Sequence, residues 1–235
     1  TNVALSLAAS GSAIVVFSKS DAKPLETKIT LKDKTFLDAK IGWYKIHKTN
    51  DYPKVSWKNG EFIPSIAGDY IFYNKEKTIT KRTVSIEDIP LQNNWKLEFD
   101  KGWDTPQTIE ASELKSLTDF KNDAIRHYSG TITYFRTINL EELGKHTILD
   151  LGNVANIAEL WCNGKKVGVK WAPPFEFDVT EFVKTGDNQL EIKVTNTWRN
   201  QLIFDNKRPK NQKKTWTTNP PKKNETELED AGLIG

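Results

Sequence analysis

The run Asn153–Asn196, NVANIAELWCNGKKVGVKWAPPFEFDVTEFVKTGDNQLEIKVTN, carries four strand signals and three turn signals in one pattern. In Glu159–Cys162 apolar positions alternate with outward ones, and Asn163-Gly164 supplies the two positive φ angles of a two-residue hairpin turn. Lys165–Val169 returns as the partner strand. Trp171-Ala-Pro-Pro174 then stops the ladder, because neither Pro173 nor Pro174 has a backbone N–H to donate. Phe175, Phe177 and Val179 share the face of a further strand, with Glu176 and Asp178 on the other side. Gly186-Asp187-Asn188 reads as the turn into a last strand, with Leu190, Ile192 and Val194 inward and Glu191, Lys193 and Thr195 outward. Such a pattern predicts an antiparallel β-sandwich.

The flanking sequence extends the all-β reading to two β-sandwich domains. The chain divides near Ile89-Pro90. In the first domain, residues 1–88, short strands are expected at Ala13–Phe17, Ile41–Ile46, Val55–Trp57, Glu61–Ile63, Tyr70–Tyr73 and Thr78–Ile86, with Asn59-Gly60 as a second hairpin turn. The second domain, residues 89–205, has one short helix expected at Ser112–Phe120. Ser112 is its N-cap, and Leu114, Leu117 and Phe120 stand at helical spacing, covering one end of the sandwich. Residues 206–235 read as an irregular tail, rich in Lys, Asn, Pro and Thr and without periodicity. Its lysines either attract an acidic polysaccharide or belong to a solvated surface connection.

Composition narrows the function classes. A chain of 235 residues can bury one large core or two moderate ones, and eight tryptophans among frequent turn residues suit an all-β protein. A net charge of +3 from 34 basic and 31 acidic residues argues against a nucleic-acid partner, which calls for a concentrated basic excess. Cys162 is the only cysteine, which excludes an intramolecular disulfide and a multi-cysteine zinc site; its inward strand position predicts a buried small hydrophobe. The apolar opening Val3–Phe17 has no basic start or small-residue cleavage site and is interrupted by Ser and Gly. It is read as strands, and it is too short and polar to span a bilayer. The sequence contains no methionine, so the chain is expected to be a processed or excised piece of a longer polypeptide.

The motifs W-x-N-G-K-x-V-G (Trp161–Gly168), F-x-F-D-V-T (Phe175–Thr180) and G-D-N-x-L-x-I-x-V-T-N (Gly186–Asn196) closely resemble the sugar-binding jelly-roll domain of glycoside hydrolase family 2. HYSGTITYFRTINL (His127–Leu140) is similar to that family's S-G-x-x-x-Y strand, and Trp95–Phe99 to its opening strand. NTWRNQLIFD (Asn196–Asp205), the Lys-Thr-Trp element at Lys214–Trp216, Ala231–Gly235 and GSAIVVF (Gly11–Phe17) resemble the carboxyl-terminal region of the α-L-rhamnosidases of glycoside hydrolase family 106. The resemblance is strong over Leu91–Asp205 and weak over Ala22–Ile89, and it departs at Phe204, where the rhamnosidase pattern has a small residue, usually glycine. It implies that the second domain is a galactose-binding-like jelly roll. By the same resemblance the catalytic acids belong to a barrel upstream of this chain, in the same polypeptide. The resemblance also implies a rhamnose-containing plant polysaccharide as ligand and an extracytoplasmic location, periplasmic or secreted, in a bacterium.

Glycoside cleavage in most families needs two carboxylates about 5 to 10 Å apart. Asp150, Glu159, Glu176 and Asp178 are simply the polar half of strand alternation, so no catalytic residue is assigned. His47, His127 and His146 are dispersed and no clustered Asp/Asn loop has calcium-ligand spacing, so no metal or other cofactor is expected. Sugar recognition is the more plausible chemistry: a pyranose presents a C–H face to an aromatic ring and hydroxyls to Asn, Asp and Arg. The candidates are Trp171 in the proline loop, Trp198, Arg199 and Asn200 after the last strand, Trp103 in the Gly102-Trp-Asp104 turn, and Asp205 as a hydroxyl acceptor. Alternatively these tryptophans cap the core or fill an interface with a catalytic domain; Trp95 and Trp161, embedded in strands, are read as packing residues. The expected function is the non-catalytic, sugar-binding portion of a rhamnosidase-like hydrolase. Its rivals are a free-standing carbohydrate-binding protein and a protein-interaction sandwich.

Overall fold

Short alternating runs separated by turns pair into antiparallel sheets throughout the computed structural model of the chain, which describes residues 28–31, 34–38, 55–58, 61–64, 66–74, 77–91, 93–222 and 224–235. The strands expected at Ala13–Phe17 and Ile41–Ile46, the Asn59-Gly60 turn and His47 lie outside the described residues. The chain separates into two units between Pro90 and Leu91.

In the first unit, β1 (Lys28–Leu31), β2 (Lys34–Asp38), β5 (Gly68–Asn74) and β6 (Lys77–Val84) form a sheet ordered β2-β1-β5-β6. Strands β3 (Val55–Lys58) and β4 (Glu61–Pro64) pair separately as a hairpin. The four expected strands between Val55 and Ile86 are thus present, while β1 and β2 carried too short an alternation to be recognised. Tyr70 and Phe72 of β5 are fully buried; the Tyr70 hydroxyl donates to Ile66 O at 2.6 Å, and burial pushes its pKa up to about 12.

The second unit begins with β7 (Trp95–Phe99) and β8 (Thr108–Ala111), followed by a 3₁₀ turn at Leu117–Asp119 and the single-turn helix α1 (Asp123–Arg126). Then come β9 (Thr131–Leu140), β10 (Ile148–Asp150), β11 (Val154–Ala155), β12 (Ile157–Cys162), β13 (Lys165–Lys170), β14 (Glu176–Asp178) and β15 (Gly186–Thr195). Helix α2 (Arg199–Asn206), a 3₁₀ turn at Lys210–Gln212 and β16 (Gly232–Leu233) complete it. Six strands form an antiparallel sheet in the order β13-β12-β15-β9-β7-β8.

Register makes the core continuous. Ala158, Val194, Ile132 and Phe99 form one row across the sheet, and Leu160, Ile192, Tyr134 and Leu97 the next; all are buried. The β10–β14 ladder turns Leu149 and Phe177 into the same buried cluster, joined by Leu151, Phe175 and Val179. This places the inward Phe175, Phe177 and Val179 as the sequence predicts. Cys162 is fully buried, its thiol lies 3.7 Å from Phe182 O, and burial raises its pKa. The Asn163-Gly164 turn has φ angles of 50° and 75°, as a two-residue hairpin requires.

Three local expectations are corrected. Gly186-Asp187-Asn188 is not a turn but the start of β15, paired with Leu140, Asn139 and Ile138. Asn188 is fully buried there and ties back the true turn, accepting from Lys184 N at 2.8 Å and donating to Lys184 O and Gly186 O at 2.7 and 2.9 Å. Ser112–Phe120 is not one helix. Ser116, not Ser112, caps the 3₁₀ turn, and Asn122 caps α1 through its side-chain oxygen. Helix growth is interrupted because the Leu117 N–H donates to Ala231 O at 2.8 Å and the Ser116 hydroxyl accepts from Ala231 N at 3.2 Å. Residues after Trp198, expected as loop, form α2; the mostly irregular segment that follows returns at its end to bury Ala231 and Leu233. There β16 pairs with β11, and Leu233 N donates to the buried Tyr134 hydroxyl at 3.0 Å.

Candidate functional site

The turn after β7 and the start of α2 meet through their tryptophans. Trp103 and Trp198 have ring centroids 5.7 Å apart at a tilt of 42°, and the Trp103 ring packs edge-on against Tyr128, at 5.4 Å. Tyr128 in turn is edge-on to Phe99 of β7, so the pair stands on the core. The Tyr128 hydroxyl donates to Thr131 O at 2.8 Å and accepts from Asp100 N at 3.2 Å, and its pKa is pushed up to about 12 by burial. Trp103 is half-buried, whereas Trp198 is 54% exposed and offers a ring to solvent.

Charged groups frame the rings. Asp104 accepts from Arg208 at 2.9 Å and from Lys214 at 3.1 Å, and the same Lys214 ammonium donates to Gly102 O at 3.2 Å. Lys214 and then Arg208 hold the Asp104 carboxyl below the usual carboxylate range. On the other side Arg199 pairs with Glu229 at 3.2 Å and Glu225 at 3.5 Å, and Thr197 donates to Glu229 at 3.1 Å. A flat ring rimmed by donors and acceptors can stack a pyranose and pair its hydroxyls.

The other sequence candidates have different places. Asn200 is buried and spans the Glu229 backbone, donating to Glu229 O at 2.7 Å and accepting from Glu229 N at 2.9 Å. Asp205 is also buried. It accepts from Gln201, from the Lys214 and Thr215 backbone N–H groups and from the Thr215 hydroxyl, all within 3.1 Å. Both act on the ring surface indirectly, by fixing the segments that carry Glu229 and Lys214. Trp171, 74% exposed, is not in ring contact with Trp103 or Trp198. Its loop contributes Pro173, and Phe175 follows, to a cleft of ≈ 470 Å³ also lined by Gly152–Ala155, Asp230 and Ile234.

Trp95 is a core residue as expected, with its indole N–H on Leu91 O at 2.7 Å. Trp161 packs instead on the outer sheet face, between the ammonium groups of Lys166 and Lys193, and donates to Glu159 at 2.6 Å. Lys166 and Trp161 lower the Glu159 pKa. Asp150 and Asp178 accept the Gly152 and Thr180 backbone N–H groups, and Asp150 faces Glu176 across the ladder on its outward side. Among the described residues no three His, Cys, Asp or Glu side chains gather as metal ligands. Phe204, the departure from the glycine pattern, stacks on His127 at 4.4 Å, and the Arg208 guanidinium lies over the Phe204 ring, 4.9 Å from its centroid.

Sequence reading missed Tyr128, Arg208 and Lys214 as members of this surface. The Lys-Thr-Trp element was visible, but only the fold brings its lysine to Asp104.

Residues 85–217 match the sugar binding domain of the glycosyl hydrolases family 2, and the chain belongs to that family. A Formosa agariphila protein provisionally named a beta-glucuronidase is 37% identical over 172 residues, which are 70% of this chain and 15% of the relative. A solved rhamnosidase from Novosphingobium sp. PP1Y is 30% identical with a TM-score of 0.57, over 77% of this chain and 18% of that one. A Ruminococcus gnavus beta-glucuronidase aligns over 45% of this chain and 20% of its own, at 23% identity and a TM-score of 0.39. The chain therefore spans less than a fifth of the length of the first two relatives.

Proposed function

We propose that this chain is the accessory, non-catalytic, sugar-binding portion of an α-L-rhamnosidase-like hydrolase of glycoside hydrolase family 106. Its ligand is a rhamnose-containing polysaccharide outside the cytoplasm. The observation that carries the binding role is the Trp103–Trp198 pair, seated on Tyr128 and open to solvent at Trp198. The likeness to the Novosphingobium rhamnosidase over 77% of this chain supports the choice of hydrolase. In this reading residues 1–88 are a buttressing sandwich, 89–205 the sugar-binding jelly roll and 206–235 a tail that frames the binding surface. A barrel elsewhere in the same polypeptide supplies the catalytic carboxylates.

Fluorescence titration with an α-L-rhamnosyl oligosaccharide tests this. Binding should perturb indole emission, and Trp198→Ala should weaken binding about tenfold while leaving the folded state intact. Saturable binding that is unchanged in the Trp198 variant would move the site elsewhere, and no binding of any rhamnosyl glycan would refute the reading.

A further inference from the structure

Seven basic residues and no acidic one occur from Asn206 through Lys223. Two of them have partners: Arg208 and Lys214 converge on Asp104 beside Trp103. Among the described residues Lys207, Lys210, Lys213 and Lys222 make no ion pair. The fold nevertheless holds their backbone in place. Arg208 N and Gln212 N close turns on Asp205 O and Pro209 O, Lys214 N is bonded to Asp205, and Asn206 donates to Pro221 O at 2.7 Å, which brings Lys222 back to the end of α2.

We propose that the ligand of the Trp103–Trp198 surface is an anionic polysaccharide, one that carries uronate carboxylates or sulfate esters met by the lysines of this segment. The inference rests on the sugar-binding reading above and adds the charge class. A surface segment with this excess holds a positive potential, since the carboxylates that pair with it, Asp104 and Asp205, meet only Arg208 and Lys214 among the described residues. Exposed rings accompany the cationic run: Trp198 precedes α2, and Trp216, 86% exposed, lies within the run after Lys214. A pyranose stacked on Trp198 can thus direct its anionic substituent toward an ammonium group. Polarity follows as well. Glu225 and Glu229 lie on the Arg199 side, so the anionic chain runs from Trp198 toward Lys213 and away from those carboxylates.

The test uses the full chain and compares sodium polygalacturonate, dextran sulfate, a neutral α-L-rhamnosyl oligosaccharide and single-stranded poly-dT by fluorescence titration. A carboxylated or sulfated glycan should bind at least about tenfold more tightly than the neutral one, and which polyanion wins separates uronate from sulfate. The triple variant Lys207→Gln, Lys210→Gln, Lys213→Gln should lose about tenfold in affinity and flatten the salt dependence. Trp198→Ala should weaken the anionic glycan by a similar factor. Equal affinity for the neutral oligosaccharide, unaffected by the triple variant, overturns the anionic assignment and leaves the sugar-binding reading standing. Tight poly-dT binding indifferent to Trp198 also overturns it, as general polyelectrolyte attraction. If neither charged nor neutral glycan binds, both readings fall.

Discussion

Trp103 and Trp198 come within 5.7 Å, ring centroid to centroid, although one sits in the turn after β7 and the other caps the amino end of α2. The contact joins the edge of the main sheet to the segment that carries the lysines, and it leaves the Trp198 ring half in solvent. Trp198→Ala should weaken glycan binding by about 1.5 kcal/mol, roughly tenfold. Its unfolding midpoint should hardly move, since the ring is 54% exposed. Calorimetric titration alongside a urea melt distinguishes this from a packing role, in which the melt would shift and the affinity would not.

Asn188 is fully buried with every polar atom engaged: besides the turn behind it, its oxygen accepts from Asn163 at 2.8 Å. Asn188→Ala strands the Lys184 N–H and two carbonyls and should cost about 3 kcal/mol. Chemical denaturation of the variant measures it. A loss within about 0.5 kcal/mol, the usual range for a surface change, would show that the turn is not held by this side chain.

Two glycines of positive φ should respond differently to alanine. At Gly232, φ is 93° and an added Cβ would collide with the Tyr134 hydroxyl and crowd Leu117 at 3.3 Å; at Gly164, φ is 75° and the space is open. Gly164→Ala pays only for backbone conformation, about 1 kcal/mol, whereas Gly232→Ala should cost about 3 kcal/mol or more. Equal melting shifts for the two would contradict the collision.

His127 is buried against Phe204, and burial lowers its pKa, partly opposed by the bond of Nδ1 to Asp123 O at 2.8 Å; Arg126 and Lys207 also lower it. That short contact to a carbonyl requires Nδ1 to carry the proton. Below the ordinary imidazole value of about 6.5 the unfolded chain takes up a proton that the folded state refuses, so stability rises with pH. The contribution is complete above that value and is lost as the pH falls below it. Urea midpoints at about pH 7.5 and about pH 5 should therefore differ in wild type, and His127→Gln should reduce the difference. An unchanged pH slope in the variant would assign the effect to other groups.

The parts of this fold that sequence made visible are those governed by local rules. The Asn163-Gly164 turn is such a case, because positive φ at consecutive positions is a property of those two residues. The inward Leu190, Ile192 and Val194 follow from period-two alternation alone. Helix α2 escaped because its buried face is polar: Asn200, Gln201 and Asp205 point inward with Ile203, and Trp198 gives no side-chain cap. Polar residues inside a helix mimic a surface loop until their tertiary partners are known. The same holds for the site. Trp103 and Trp198 were nameable separately as loop aromatics, but their meeting, and the engagement of Asn200 and Asp205 by the backbone, depend on segments far apart in the chain. Glu225 and Glu229 were hidden within a stretch without periodicity.

The pairing of β16 with β11 sets an order of events during synthesis. Leu233 N caps the Tyr134 hydroxyl, and Ala231 meets Ser116 and Leu117, so the second unit cannot close until residue 233 has left the ribosome. Until then the Tyr134 hydroxyl lacks the backbone donor it has in the finished sandwich, and the pocket for Leu233 stands empty. Ribosomes paused anywhere between β9 and β16 therefore hold an unsealed sandwich, dependent on shielding from its neighbours until translation passes that strand.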